Sequence, residues 1–190
     1  MHMRLFFSLI LMLVSTMMCI SQEYNSARLT FLYGSTLPFN FNTMDKIKNG
    51  IEIINGTKLG ISLTDLGVAG VALKGFQLNF CTFNNQTKIK GDAYELALDR
   101  IRVKAENALG LESGISSDPL YQSLTSSPVN LYTYTKDPWN PLTDNLKWNT
   151  HQLNISYECG KEPEHSLMGE SPDYYSVEIE FELIPIGDGF

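Results

Sequence analysis

The chain alternates apolar and polar side chains with a period of two residues, and the alternation is clearest near the C-terminus. Over residues 175–183 (YSVEIEFEL), aromatic and aliphatic side chains hold the odd positions, and Ser or Glu holds the even ones. Because successive side chains of a strand point to opposite faces, this pattern predicts a half-buried antiparallel strand that stops at Pro185. Residues 153–157 (LNISY) predict a second strand with Cys159 at its end.

Other segments have the composition or the turn residues of a sheet protein. Residues 28–33 (RLTFLY) and 129–135 (VNLYTYT) are rich in β-branched and aromatic side chains, and both are predicted strands. Residues 76–80 (FQLNF) alternate and place Cys81 on the solvent side of their strand. The pair Asn55-Gly56 lies between two apolar runs and predicts a tight hairpin.

Helix signals are few. Thr43 stands at a cap position and Gly50 stands where a helix would end, so one short helical turn is predicted between them. Residues 92–109 are ambiguous, because Asp92 and Glu95 resemble a capping box, whereas the second half of the segment alternates apolar and charged residues. We favour strands there.

Short strands separated by turns, without helix-strand alternation, predict an all-β fold. The segments 111–128 and 160–172 are rich in Pro, Gly, Ser or charged residues and should be surface loops. We therefore expect one domain over residues 22–190, a single antiparallel immunoglobulin-like sandwich with a short helical turn.

Residues 1–21 have the features of a cleavable signal peptide. Arg4 supplies a positive charge, the apolar run 5–14 (LFFSLILMLV) follows it, and Cys19 and Ser21 are the small residues of a cleavage site after Ser21. The run is shorter than the roughly 20 apolar residues of a transmembrane helix, so we expect no stable membrane insertion. The chain should be secreted, to the periplasm or the cell surface. Lipidation of Cys19 is the alternative.

Charge and motifs exclude several functions. The chain has 14 basic and 21 acidic residues, a net charge of −7, which becomes −8 when the leader is removed with Arg4. This balance argues against nucleic acid as a partner. His151 and His165 have no second His or Cys at a ligand spacing, and there is no nucleophile elbow, phosphate loop or dinucleotide fingerprint. We therefore predict no catalytic residues, no metal and no cofactor.

Cys81 and Cys159 remain after removal of the leader, an even pair for an oxidising compartment. A disulfide between them is the simplest expectation and would stabilise the fold by about 4 kcal/mol on the chain-entropy model. Two buried free thiols are the alternative, and the solvent-side position of Cys81 counts against a buried bond.

Aromatic side chains give the candidate ligand-binding residues. Trp139 lies between Pro138 and Pro141, and Tyr132 and Tyr134 lie just before it. An exposed ring on a stiff loop can stack on a sugar or anchor a protein partner. The alternative is a Trp139 that folds back over the end of the core.

Two sets of polar residues are further candidates for a functional role. Glu178, Glu180 and Glu182, which we call the acidic ladder, are most simply a charged strand face that discourages edge pairing, rather than a calcium site or a glycosidase pair. Asn55, Asn85 and Asn154 stand in Asn-x-Ser/Thr sequons, which would be glycan acceptors in a eukaryotic secretory pathway.

Three segments resemble secreted fimbrial or adhesin-like β-sandwich proteins of Gram-negative bacteria: residues 39–51 (FNFNTMDKIKNGI), 155–160 (ISYECG) and 174–181 (YYSVEIEF). The resemblance implies an immunoglobulin-like sandwich with a structural or adhesive role and no catalytic residues. We therefore expect a non-enzymatic envelope protein that acts by adhesion or assembly, with a protein partner or self-assembly through edge strands. The alternatives are a carbohydrate-binding module and a small secreted hydrolase.

Overall fold

The chain folds mostly into strands. The computed structural model describes residues 26–65, 72–161 and 163–188, and the predicted signal peptide with Cys19 lies outside them. The described strands are β1 (Ser26–Tyr33), β2 (Ile51–Thr64), β3 (Ala72–Thr82), β4 (Lys88–Lys90), β5 (Glu95–Ala97), β6 (Ile101–Leu109), β7 (Ile115–Ser116), β8 (Gln122–Ser123), β9 (Val129–Thr135), β10 (Gln152–Cys159) and β11 (Ile179–Asp188). Helix α1 (Met44–Asn49) and three 3-10 turns, Phe83–Asn85, Leu98–Arg100 and Pro163–His165, complete the described elements.

The strands form two main sheets and a small ribbon. The five-stranded sheet has the order β1-β2-β10-β6-β8, the four-stranded sheet has the order β11-β3-β9-β7, and β4 pairs with β5. Each pairing is antiparallel. The predicted all-β antiparallel sandwich is thus confirmed.

One hydrophobic core lies between the two main sheets. Fully buried side chains from both inner faces meet there: Leu59, Ile61, Val103, Leu153 and Ile155 from the five-stranded sheet, and Phe76, Leu78, Phe80, Tyr132 and Tyr134 from the four-stranded sheet. Leu111 and Leu124, in the segment predicted as a surface loop, are fully buried in the same core. Full burial of one such aliphatic or Phe side chain stabilises the fold by about 1.5–3 kcal/mol. The two-residue alternation of the sequence is therefore the alternation of core and outer face.

Most predicted elements are confirmed. The strands at 28–33, 76–80, 129–135 and 153–157 are present, and residues 92–109 form β5, a 3-10 turn and β6. Helix α1 begins after Thr43, whose hydroxyl oxygen accepts a hydrogen bond from the Lys46 N–H at 3.3 Å. It ends at Gly50, whose φ of +71° favours glycine.

The hairpin predicted at Asn55-Gly56 is wrong. Strand β2 runs through this pair without a break, and its register against β10 shifts between Ile155 and Tyr157. Asn55 has a φ of +53°, and its N–H donates to the Ser156 hydroxyl at 3.0 Å. A left-handed Asn suits an irregularity of this kind as well as a turn, so Asn55-Gly56 forms a bulge inside one long strand.

The bounds predicted for the C-terminal strand need correction as well. Strand β11 begins at Ile179 rather than at residue 175, and it continues through Pro185 to Asp188. Pro185 lies opposite Phe76 of β3, and β11 is an edge strand of its sheet. A proline is tolerated in an edge strand when its nitrogen faces away from the neighbouring strand, because that position needs no N–H donor.

Candidate functional site

The predicted aromatic ligand-binding residues lie in or against the core. Tyr132 and Tyr134 are 2% and 1% exposed, and each ring stacks on Phe76, with centroids 6.1 and 5.6 Å apart. Burial raises the pKa of the Tyr132 hydroxyl. The two tyrosines therefore offer no stacking surface, because the inward parity of β9 directs them at the other sheet.

Trp139 is not presented at the surface as an open platform. Its side chain is partly buried and packs against the core, which matches the alternative interpretation from the sequence. The indole N–H is buried and has no hydrogen-bond partner among the described residues. The three aromatic candidates thus contribute to packing.

Cys81 and Cys159 are both free and buried, so the expected disulfide is absent from the structure. Cys159 belongs to the core on the inner face of β10, and burial raises the pKa of its thiol to about 12. Cys81 lies on the outer face of β3 opposite Glu180, and burial together with Glu180 and Glu182 raises its pKa. The Cys81 side chain points away from the sheet that holds Cys159, and a disulfide requires side chains that face each other.

The acidic ladder lies beside a free sheet edge. Each main sheet has two edge strands, β1 and β8 in one and β11 and β7 in the other. Strands β7 and β8 have only two residues each, whereas β11 has ten. Short edges offer few unpaired backbone groups, so among the described strands β11 is the main edge of the four-stranded sheet with unpaired backbone groups.

The hydrogen bonds at the start of β11 show which backbone groups face that open edge. The Phe83 N–H donates to the Glu178 carbonyl at 2.9 Å, whereas the N–H of Thr82, opposite Ile179, donates to Thr125 at 3.0 Å. Since the pairs of an antiparallel ladder alternate, even-numbered residues of β11 bond to β3 and odd-numbered residues face outward. Among the described strands β11 pairs with β3 alone, and the outward N–H and C=O groups of Ile179, Phe181 and Leu183 form no other backbone hydrogen bond there.

Side chains on the two faces of β11 differ in character. The acidic ladder is exposed on the outer face, and its carboxylates form no ion pair with any residue in the described ranges. A groove of about 210 Å³ runs beside it, lined by Asn79, Phe80, Cys81, Asn85, Pro128, Glu180 and Glu182. On the inner face, Phe181 meets Phe31 of β1 edge to face at 6.2 Å, and Phe31 remains half exposed.

A second group of charges, on the outer face of the five-stranded sheet, was not identified from the sequence. Tyr121 donates to Glu52 at 2.8 Å, and Lys161 donates to the same carboxylate at 2.5 Å. Arg102 lies 3.1 Å from Glu158, and the Arg102 and Lys104 cations lie 5.8 and 5.1 Å from the centroid of the Tyr121 ring. Burial and Glu52 raise the pKa of Tyr121. These residues are far apart in the chain, so spacing gives no signal for the cluster.

Trp148 is the exposed tryptophan of the described residues, and no sequence pattern singled it out. Its side chain is 50% exposed, and its backbone is anchored by an N–H donated to the Ser62 hydroxyl at 3.2 Å. The loop can approach β2 because Gly60 has no side chain; a Cβ there would lie 2.6 Å from the Trp148 carbonyl oxygen. Trp148 is therefore held in place while half of its surface faces solvent.

The three sequons lie in different settings. Asn55 is exposed in the bulge of β2, and Asn85 is exposed in the 3-10 turn after β3, each with a φ of +53°. Asn154 lies in β10, in the middle of its sheet, and is partly buried. Asn55 and Asn85 are therefore the more accessible of the three side chains.

Comparisons with known proteins do not identify a family. No protein-family model matches the chain, and no curated protein matches it either. Among residues 26–65, 72–161 and 163–188, no three His, Cys, Asp or Glu side chains are grouped as metal ligands would be. No helix in this part of the chain has the length and apolar character needed to cross a membrane. The edge of β11, with the acidic ladder and its groove, is the candidate site because its outward backbone groups are unpaired within the described residues.

Proposed function

We propose that this protein is an exported, non-enzymatic envelope or cell-surface protein that acts by adhesion or assembly through the free edge of β11. The observation that carries the proposal is a ten-residue edge strand with outward backbone groups at Ile179, Phe181 and Leu183. An extended partner segment can add to such an edge as a further strand, with main-chain hydrogen bonds supplying affinity.

The surroundings of the edge favour binding of a partner through its main chain over catalysis on a substrate. The adjoining groove is small, and its thiol, Cys81, has a raised pKa, whereas a nucleophilic cysteine needs a lowered one. Two odd-numbered side chains at the edge, those of Phe181 and Leu183, are only partly buried. A paired strand would cover them further, which adds an apolar contribution to binding.

The test is a pair of variants at Ile179 in the mature protein, Ile179→Pro and Ile179→Ala. Both shorten or remove the aliphatic chain, but only proline removes the outward N–H. We expect proline to weaken self-association or attachment to cells and matrix about tenfold, as for loss of a backbone hydrogen bond, and alanine to change it little. Light scattering after size exclusion and an attachment assay measure both; a strict monomer that attaches to neither cells nor matrix would contradict the proposal.

A carbohydrate-binding module is the second candidate, and Trp148 is the observation that favours it. A half-exposed indole with an anchored backbone loses little freedom when a ligand stacks on it. Glycan-array binding that is lost in Trp148→Ala and kept in Trp139→Phe would support this function. An array without hits would remove it.

A further inference from the structure

We propose that the partner of β11 is an extended segment that carries Lys or Arg at alternate positions with apolar residues between them. This inference rests on the proposed function and names the partner of the same edge. It follows from the two faces of β11 and from the position of Pro185.

The outer face sets the charge of the partner. A strand paired with β11 places its outer side chains about 5 Å from those of Glu178, Glu180 and Glu182. These carboxylates have no ion pair within the described residues. A basic side chain opposite each of them would therefore form an ion pair without displacing a described cation of this chain. A second copy of β11 would instead place Glu beside Glu, and like charges directly opposite are destabilising.

The inner face sets the residues between the basic positions. The side chains of Ile179, Phe181 and Leu183 are partly buried and pack against the core, and Phe31 is half exposed beside Phe181. The alternate side chains of an added strand would lie over this apolar border. Apolar residues at those positions remove its surface from water, whereas polar ones would be buried without partners.

Pro185 limits the length of the paired segment. Its nitrogen faces the open edge and carries no hydrogen, so the outward ladder of donors ends at Leu183. The partner therefore pairs with residues 178–184. This length has four outer-face positions, and three of them lie opposite the carboxylates of the acidic ladder.

The experiment measures binding of synthetic peptides to the mature protein by fluorescence anisotropy. The probe is a seven-residue peptide that alternates Lys and Val, and the matched control peptide has the same composition with its lysines clustered at one end. The protein variants are Glu178→Gln/Glu180→Gln/Glu182→Gln, and a charge-matched control of three exposed acids elsewhere, Asp45→Asn/Glu112→Gln/Asp118→Asn. Ile179→Pro reports whether the backbone edge is used.

We expect the alternating peptide to bind, and its affinity to fall about tenfold in the acidic-ladder variant and in Ile179→Pro, but not in the charge-matched control. Equal loss in both charge variants, or equal binding of the clustered peptide, would overturn the inference by showing unspecific attraction to an acidic protein. If the attachment assay responds to Ile179→Pro while the acidic-ladder variant attaches normally, the proposed function stands and the basic partner is wrong. If neither variant changes attachment or peptide binding, both fail.

Discussion

Within the described residues, two carboxylates on the five-stranded sheet are paired with cations, whereas the acidic ladder, in and just before β11, is not. Glu158 is 6% exposed and lies 3.1 Å from Arg102 of the neighbouring strand, and Glu52 accepts hydrogen bonds from Lys161 and Tyr121. Glu178, Glu180 and Glu182 are exposed and have no ion pair in the part of the chain that the structure describes. Glutamate is thus paired with a cation in one sheet and exposed at the edge of the other.

The difference follows from position in the sheet. A carboxylate on β10 has strands on both sides, and cross-strand neighbours such as Arg102 can neutralise it. Among the described strands, β11 pairs with β3 alone, and β3 places Asn79 and Cys81 opposite the acidic ladder rather than a cation. The carboxylates Glu158 and Glu52 are therefore paired with cations inside the fold, whereas those of the acidic ladder remain available to a partner. Three predictions test this contrast.

The largest effect is expected for Arg102→Met. Removing the cation leaves the Glu158 carboxylate buried without its ion-pair partner, and breaking a buried pair in this way costs about 3 kcal/mol. Urea unfolding of the protein measures the change. The double variant Arg102→Met/Glu158→Leu removes both charges and should recover most of the loss. If Arg102→Met were as stable as the parent, the ion pair would not contribute to the free energy of unfolding.

An intermediate effect, dependent on pH, is expected for Glu52→Gln. Hydrogen bonds from Lys161 and Tyr121 hold the pKa of Glu52 below its usual 4.5. A lowered folded pKa stabilises the protein above pH 4.5, and this contribution is lost as the pH falls toward the folded value. The variant should be about 1 kcal/mol less stable than the parent at pH 7, and the difference should narrow in acid. Parallel stability curves from pH 7 to pH 3 would contradict this.

The smallest effect on stability is expected for the acidic-ladder variant Glu178→Gln/Glu180→Gln/Glu182→Gln. These side chains are exposed and unpaired within the described chain, so the free energy of unfolding should change by no more than about 0.5 kcal/mol. Thermal and urea unfolding beside Arg102→Met supply the measurement. A loss as large as that of Arg102→Met would mean that the acidic ladder belongs to the folding core, and the contrast between the two regions would fail.

The local sequence pattern predicted the individual strands and the helix better than it predicted where strands continue or how they pair. The composition of 129–135, the alternation at 153–157 and the cap at Thr43 identified β9, β10 and α1, because residue type, side-chain parity and capping are properties of neighbouring residues. Asn55-Gly56 misled because a left-handed Asn is compatible with a turn and with a bulge. Pro185 misled because it ends a central strand but is accepted at an edge, and the edge is defined only by the strand order.

The sequence by itself determined that the chain forms antiparallel strands with apolar inner faces and a charged last strand, since a two-residue period leaves few other folds. Only the tertiary structure decided that Tyr132 and Tyr134 are core, that Cys81 and Cys159 face different sides of the sandwich, and that β11 is an edge. Parity gives two faces but does not say which face meets the second sheet or which strand lies last. Those choices depend on contacts between residues a hundred positions apart, such as Asn55 with Ser156 and Tyr157 with Thr57.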